Sequence, residues 1–136
     1  MKRNNLLFIS AAITLLLFVT GCNQQPDIKM NEALVESQEL LRQSDKIETT
    51  ASAFDGKQNV RFRLMVEEQP SEEEAAILFN KILESVIYFS NRLEAWDYYN
   101  GHFDIKTYDN GVVYEATKLI GKDLEIVNIK SNGEGQ

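Results

Sequence analysis

Cysteine and histidine are nearly absent from this chain: each occurs once, as Cys22 and His102. A single cysteine closes no intramolecular disulfide, so stability has to come from packing. A single histidine ties any histidine-based catalysis to one position. No G-x-S-x-G elbow, H-E-x-x-H helix or G-x-x-x-x-G-K-[ST] loop occurs. Basic charge is also scarce, with 14 Lys and Arg against 21 Asp and Glu and a net charge of −7. An acidic body repels phosphate backbones and anionic headgroups, which speaks against nucleic-acid binding and against electrostatic membrane attachment. The glutamates at 67, 68 and 72–74 lack the interleaved Asp or Asn and the glycine of a cation-binding loop. They read as a solvated helix start, and neither a metal nor a cofactor is expected.

What is present begins with Lys2 and Arg3, followed by an apolar run over 6–20 interrupted within only by Ser10 and Thr14. The succession of charge, apolar run and small residue is that of a secretory signal. About 15 residues are fewer than the roughly 20 a membrane-spanning helix needs, and no stop-transfer pattern follows. The run therefore reads as cleaved. The competing reading is a retained single span with an incidental Cys22.

Val19-Thr20-Gly21-Cys22 resembles the lipobox of bacterial lipoproteins. The resemblance covers the first 22 residues and implies cleavage between Gly21 and Cys22 with a diacylglyceryl group on the Cys22 sulfur. One acyl chain binds a bilayer only marginally, at about 10⁴ M⁻¹, but each further buried methylene adds roughly 0.8 kcal/mol, so two or three chains hold firmly. The expected division is a signal peptide over 1–21, lipidated cysteine and tether over 22–28, one α+β domain over 29–130 and a polar tail over 131–136. Loss of residues 1–21 removes both Lys2 and Arg3 and leaves 12 basic against 21 acidic side chains, a net charge of −9. The expected location is the outer face of the cell membrane, or the outer membrane of a cell that has one.

Within the domain, residues 30–43 carry Met30, Ala33, Leu34, Leu40 and Leu41 at helical spacing. Val60, Phe62, Leu64 and Val66 alternate with Arg61, Arg63 and Met65, the period of a strand. A two-residue turn at Asp55-Gly56 would place Ala51 opposite Val60, Thr49 opposite Phe62, Ile47 opposite Leu64 and Glu48 opposite Arg63. Ser71 and Glu74 form a capping box. Behind it Ala75, Leu78, Phe79, Ile82, Val86, Phe89 and Leu93 form an apolar stripe, widened by Leu83 and Ile87. Tyr99, Phe103, Ile105 and Thr107 alternate with polar residues, with Gly101 as an expected bulge. An Asn110-Gly111 turn would set Glu115 across from Lys106 and Ala116 across from Ile105, and residues 124–129 read as a last strand. The fold these patterns predict is an antiparallel sheet of four to five strands. One long amphipathic helix covers one of its faces, and a shorter N-terminal helix joins it. The other face, bearing Arg61, Arg63, Asp104 and Lys106, is expected to be open to water. Ile77 and Tyr88 lie opposite the stripe; burial under the first helix is the expected account of them, and the alternative is that they are exposed anchors for another protein.

For function, His102 reads as a solvated strand histidine, and no carboxylate pair stands out among 21 acidic residues. No catalytic residue is assigned. Trp96, Tyr98, Tyr99, Phe103, Tyr108 and Tyr114 form the densest aromatic region. Half of them are expected in the core, the rest beside the arginines. The candidate partner surface is Arg61, Arg63, Tyr98, His102 and Tyr108. Trp96-Asp97-Tyr98-Tyr99-Asn100, Phe103-Asp104-Ile105-Lys106 and the return through Gly111, Tyr114 and Lys118 resemble stretches of small lipoproteins of Gram-positive bacteria. Some of those, carried on conjugative elements, exclude an incoming element by engaging its transfer machinery; the resemblance transfers no functional residue. Two classes follow: a lipid-anchored, non-catalytic domain that binds an envelope or membrane-machine protein, and a lipoprotein for a small ligand or glycan. A single sheet of this size leaves little room for the deep pocket the second would need.

Overall fold

The computed structural model describes residues 27–129; Gly21, Cys22, the signal segment and the 131–136 tail lie outside the described residues. Helix α1 (Met30–Arg42) buries Met30, Ala33, Leu34, Ser37 and Leu41 along one stripe. Strands β1 (Ile47–Phe54) and β2 (Asn59–Val66) form the first hairpin. Helix α2 (Glu72–Ser90) begins at a side-chain cap, where Ser71 Oγ accepts the Glu74 N–H at 3.2 Å, with Glu72, Glu73 and Glu74 at the positive end of the helix dipole. It stops at Asn91, whose φ of 55° turns the chain left-handed and lets the Arg92 N–H reach the Ile87 carbonyl. A 3₁₀ turn (Ala95–Asp97) leads to β3 (Asn100–Thr107), β4 (Gly111–Lys118) and β5 (Glu125–Asn128).

The five strands form one sheet in the order β1-β2-β3-β4-β5. The α+β class, strand number and two helices are as the sequence predicts. The pairing is antiparallel except between β2 and β3, which run parallel. An entirely antiparallel sheet without a crossover was the expectation, and α2 is the reason it fails. Its 19 residues span about 28 Å, close to the roughly 26 Å of an eight-residue strand. It therefore carries the chain back to the starting end of β2, and the next strand enters parallel.

Both hairpin registers differ from expectation. Phe54, not Ala51, lies opposite Val60, and the ladder continues through Ser52 and Phe62 to Thr50 and Leu64. The Asp55 carboxylate accepts the N–H groups of Lys57, Gln58 and Asn59 and the Asn59 side-chain amide, which holds open a wider turn than two residues. A shift of three is odd, so β1 turns over relative to expectation. Thr50, Ser52 and Phe54 face the helices, Thr49, Ala51 and Ala53 face away, and a bulge between Ile47 and Thr49 returns Ile47 to the core. Arg63 meets Asp104 instead of Glu48. In the second hairpin Ile105 lies opposite Tyr114 and Phe103 opposite Ala116. That shift is even and leaves the faces unchanged. The bulge sits between Ile105 and Lys106, while Gly101 stays in the ladder on both sides.

The core lies between the sheet and the two helices, with Val60, Phe62, Leu64, Phe79, Ile82, Val86, Phe103, Ile105 and Tyr114 buried in it. Two of its polar tips are satisfied: Tyr114 donates to the Pro70 carbonyl at 2.8 Å, and Trp96 Nε1 to the Leu83 carbonyl at 3.1 Å. Helix α1 packs against both α2 and β1, and Gln38 accepts from the Thr50 hydroxyl and donates to that of Ser52. It lies beside α2 in one layer, not on top of it. Ile77 is consequently 56% exposed and Tyr88 75%, and burial by the first helix is not what happens to them. Leu93 is 89% exposed because the helix stops at Ser90, before the stripe reaches it; Phe89 is half-buried.

Candidate functional site: the open face of the sheet

Since both helices lie on one side, the other side of the sheet is formed by the alternate residues of each strand. Pairing aligns them in rows. One row runs Ala53, Arg61, His102, Thr117 and Glu125; the next runs Ala51, Arg63, Asp104, Glu115 and Val127. A third carries Thr49, Met65 and Lys106.

The second row contains the strongest polar contact on the face. Arg63 Nε and Nη2 donate to the two Asp104 oxygens at 2.8 and 2.9 Å, a bidentate pair across the parallel β2/β3 ladder. Hydrogen bonding and charge from Asp104 push the Arg63 guanidinium above its usual range, so it stays charged at any physiological pH. Arg61, one row away, is exposed and has no hydrogen-bond or ion-pair partner among the described residues. Its neighbour across the ladder is the half-buried His102. Asp104 is occupied by Arg63, and the hydroxyl neighbour of His102 in register is Thr117.

The face is thus polarised. Cationic Arg61 lies toward the β1 side, while Glu115 and Glu125 lie toward β5. Above the first two rows is an open trough of about 400 Å³, lined by Ala51, Ala53, Arg61, Arg63, His102, Asp104, Glu115 and Thr117. The methyl side chains of Ala51 and Ala53 make its low rim. Phe62 and Phe103 border it only through their backbone, since their rings point into the core.

The structure brings Arg61, Arg63 and His102 together and separates the other two expected surface residues from them. Tyr98 is half-buried against the core. Tyr108 stands exposed in the β3–β4 turn, its ionisation pushed upward by the hydrogen bond and charge of Glu48. Ala51 and Ala53 are the residues sequence reasoning missed. Their spacing as small residues two apart on a strand was the available signal, and the turn assignment put them on the wrong face. Among the described residues no group of three or more His, Cys, Asp or Glu is placed to hold a metal ion. No helix among them is long and apolar enough to cross a membrane. No protein-family model matches the chain, and no curated protein sequence matches it significantly.

Proposed function

We propose that this is a lipid-anchored, extracytoplasmic, non-catalytic domain whose open sheet face receives a protein of the cell envelope or of a membrane-embedded machine. Anchoring rests on the Val19-Thr20-Gly21-Cys22 motif. Binding rests on one observation: an exposed Arg61, unpaired among the described residues, beside a shallow trough on a sheet face that no described element covers. An unpartnered guanidinium bordered by alanines suits a partner's carboxylate or carbonyl, because arginine forks such groups with two donors. The alternative, a small-ligand or glycan-binding lipoprotein, is less well supported. The trough presents no aromatic ring on which a sugar could stack, since Phe62 and Phe103 face the core.

Two experiments test the reading. Acyl labelling of Cys22→Ser is expected to yield an uncleaved precursor with no incorporated fatty acid; unchanged labelling would remove the anchor. For the surface, a photo-crosslinking residue at Ala53 is expected to capture an envelope protein in living cells, and the same residue at Ile77 on α2 is not. Capture from Ile77 alone would move the binding face to the helices. Where the gene lies on a conjugative element, loss of exclusion on Arg61→Glu would tie the face to the incoming transfer machinery.

A further inference from the structure

The trough opens onto a strand edge with which no described strand pairs. Of the two edge strands β5 has four residues and β1 has eight. Long edges are normally blunted by lysine, proline or inward charge. Residues 49–54 of β1 have none of these: Thr-Thr-Ala-Ser-Ala-Phe is neutral and extended. The ladder fixes which backbone groups are free. The Asp55 N–H donates to the Asn59 carbonyl, and bonded and non-bonded pairs alternate along antiparallel strands. Ala53/Arg61 and Ala51/Arg63 are therefore the bonded pairs. The N–H and C=O groups of Thr50, Ser52 and Phe54 point outward, where no described strand pairs with them. Helix α1 guards β1 only from the core side, through Gln38 on the Thr50 and Ser52 hydroxyls.

We propose that the β1 edge is a strand-addition site for an extended segment of a partner protein, with an acidic side chain of that segment reaching over Ala51 and Ala53 to Arg61. This rests on the reading that the open face receives a protein. An added strand would lie about 4.8 Å beyond β1 and about 10 Å from β2. The two alanines leave that gap unobstructed, and an arginine and a glutamate together span it. Charge decides the occupant. Among the described residues Arg61 is an unpaired cation, on an acidic chain, and backbone pairing combined with alternate side chains is the way added strands are recognised. A second copy docking through its own β1 would set the uncharged Thr49, Ala51 and Ala53 on this face. The opposite parity of the added strand would meet Phe54, so the segment alternates acidic with apolar residues.

The test uses the full chain in detergent micelles and two eight-residue peptides, one alternating valine with glutamate and one valine with lysine. The acidic peptide is expected to bind and to slow hydrogen exchange at Thr50, Ser52 and Phe54. Arg61→Gln is expected to weaken it about tenfold or more, the scale of a charge-assisted hydrogen bond, and Arg61→Glu to transfer preference to the lysine peptide. Arg61-dependent binding without slowed exchange in β1 would overturn strand addition while leaving the open-face reading intact. Slowed exchange that grows with protein concentration in the absence of peptide would assign the edge to a second copy. Binding of neither peptide would overturn the proposal, and the Ala53 crosslink would still decide the face independently.

Discussion

Replacing Gly101 by alanine tests how the strand carrying His102 and Asp104 is held. Gly101 lies between Val60 and Lys118 in the sheet, and Phe103, two residues on, projects to the same side. Its ring folds back over the glycine: a Cβ at position 101 would clash with Phe103 Cζ and sit 3.0 Å from both Cε atoms. Carbon atoms prefer about 3.5–4 Å, so one partner has to give by about 1 Å. The ring has nowhere to go. It is 3% exposed, stacked at 6.4 Å and 26° on Phe79, and met edge-on at 5.7 Å by Trp96, itself tied to the Leu83 carbonyl. Overpacking of this kind costs about 1–3 kcal/mol, and the conformational advantage of alanine over glycine in an element returns roughly 0.5–1 kcal/mol. Gly101→Ala is therefore expected to lose about 1–2 kcal/mol, a fall of several degrees in Tm for a domain of about 100 residues. Urea midpoints read it directly. Combining it with Phe103→Leu is expected to recover part of the loss, with a coupling above the ~0.5 kcal/mol scatter of independent sites. A fully stable alanine variant, or zero coupling, would refute the assigned ring position.

Three further perturbations follow from single contacts. Ser37 Oγ is fully buried with no hydrogen-bond partner among the described residues, so Ser37→Ala is expected to stabilise by about 1 kcal/mol, from desolvation and helix propensity together; a loss in urea midpoint would mean the hydroxyl is satisfied. The Asp55 carboxyl is held well below its usual range, first by the Asn59 side chain and then by the backbone N–H groups it caps. A depressed folded value contributes stability above the unfolded value of about 4 and loses it as pH falls below that. The midpoint gap between the parent and Asp55→Ala is expected to be full at pH 7 and to close toward pH 2; a constant gap would refute the cap. Ile77→Glu is expected to change stability by less than about 0.5 kcal/mol, as exposed substitutions do, and a large loss would mean that α2 is covered on its outer side.

How much of this was legible in the sequence follows from the kind of signal each element carries. Helix α2 was readable because cap, first-turn acids and apolar stripe are all local, and they agree. The β2 and β3 faces were readable because alternation fixes parity without any partner. Strand direction was not. Alternating Val60, Phe62 and Leu64 would look the same in a parallel or antiparallel pair, and only the match in length between α2 and β2 decides it. Ile77 and Tyr88 show a second limit. A periodicity reveals that a helix has an apolar residue on its back, but whether a neighbour stacks above it or beside it depends on where the intervening strands put that neighbour.

The site itself hinged on a turn. Asp-Gly flanked by alternating residues is a strong two-residue hairpin signal, and Gly56 does take a φ of +81°. The side chain of Asp55 then recruits three successive N–H groups and lengthens the loop. Because side-chain orientation has a period of two, an error of three residues matters more than the error of two in the second hairpin. It exchanges the faces of β1, sending Thr50 and Ser52 to Gln38 and bringing Ala51 and Ala53 beside the arginines. The arginine face was visible from β2 alone. The low alanine rim over which a partner's strand could reach Arg61 came into view only when one carboxylate's hydrogen bonds had set the length of one loop.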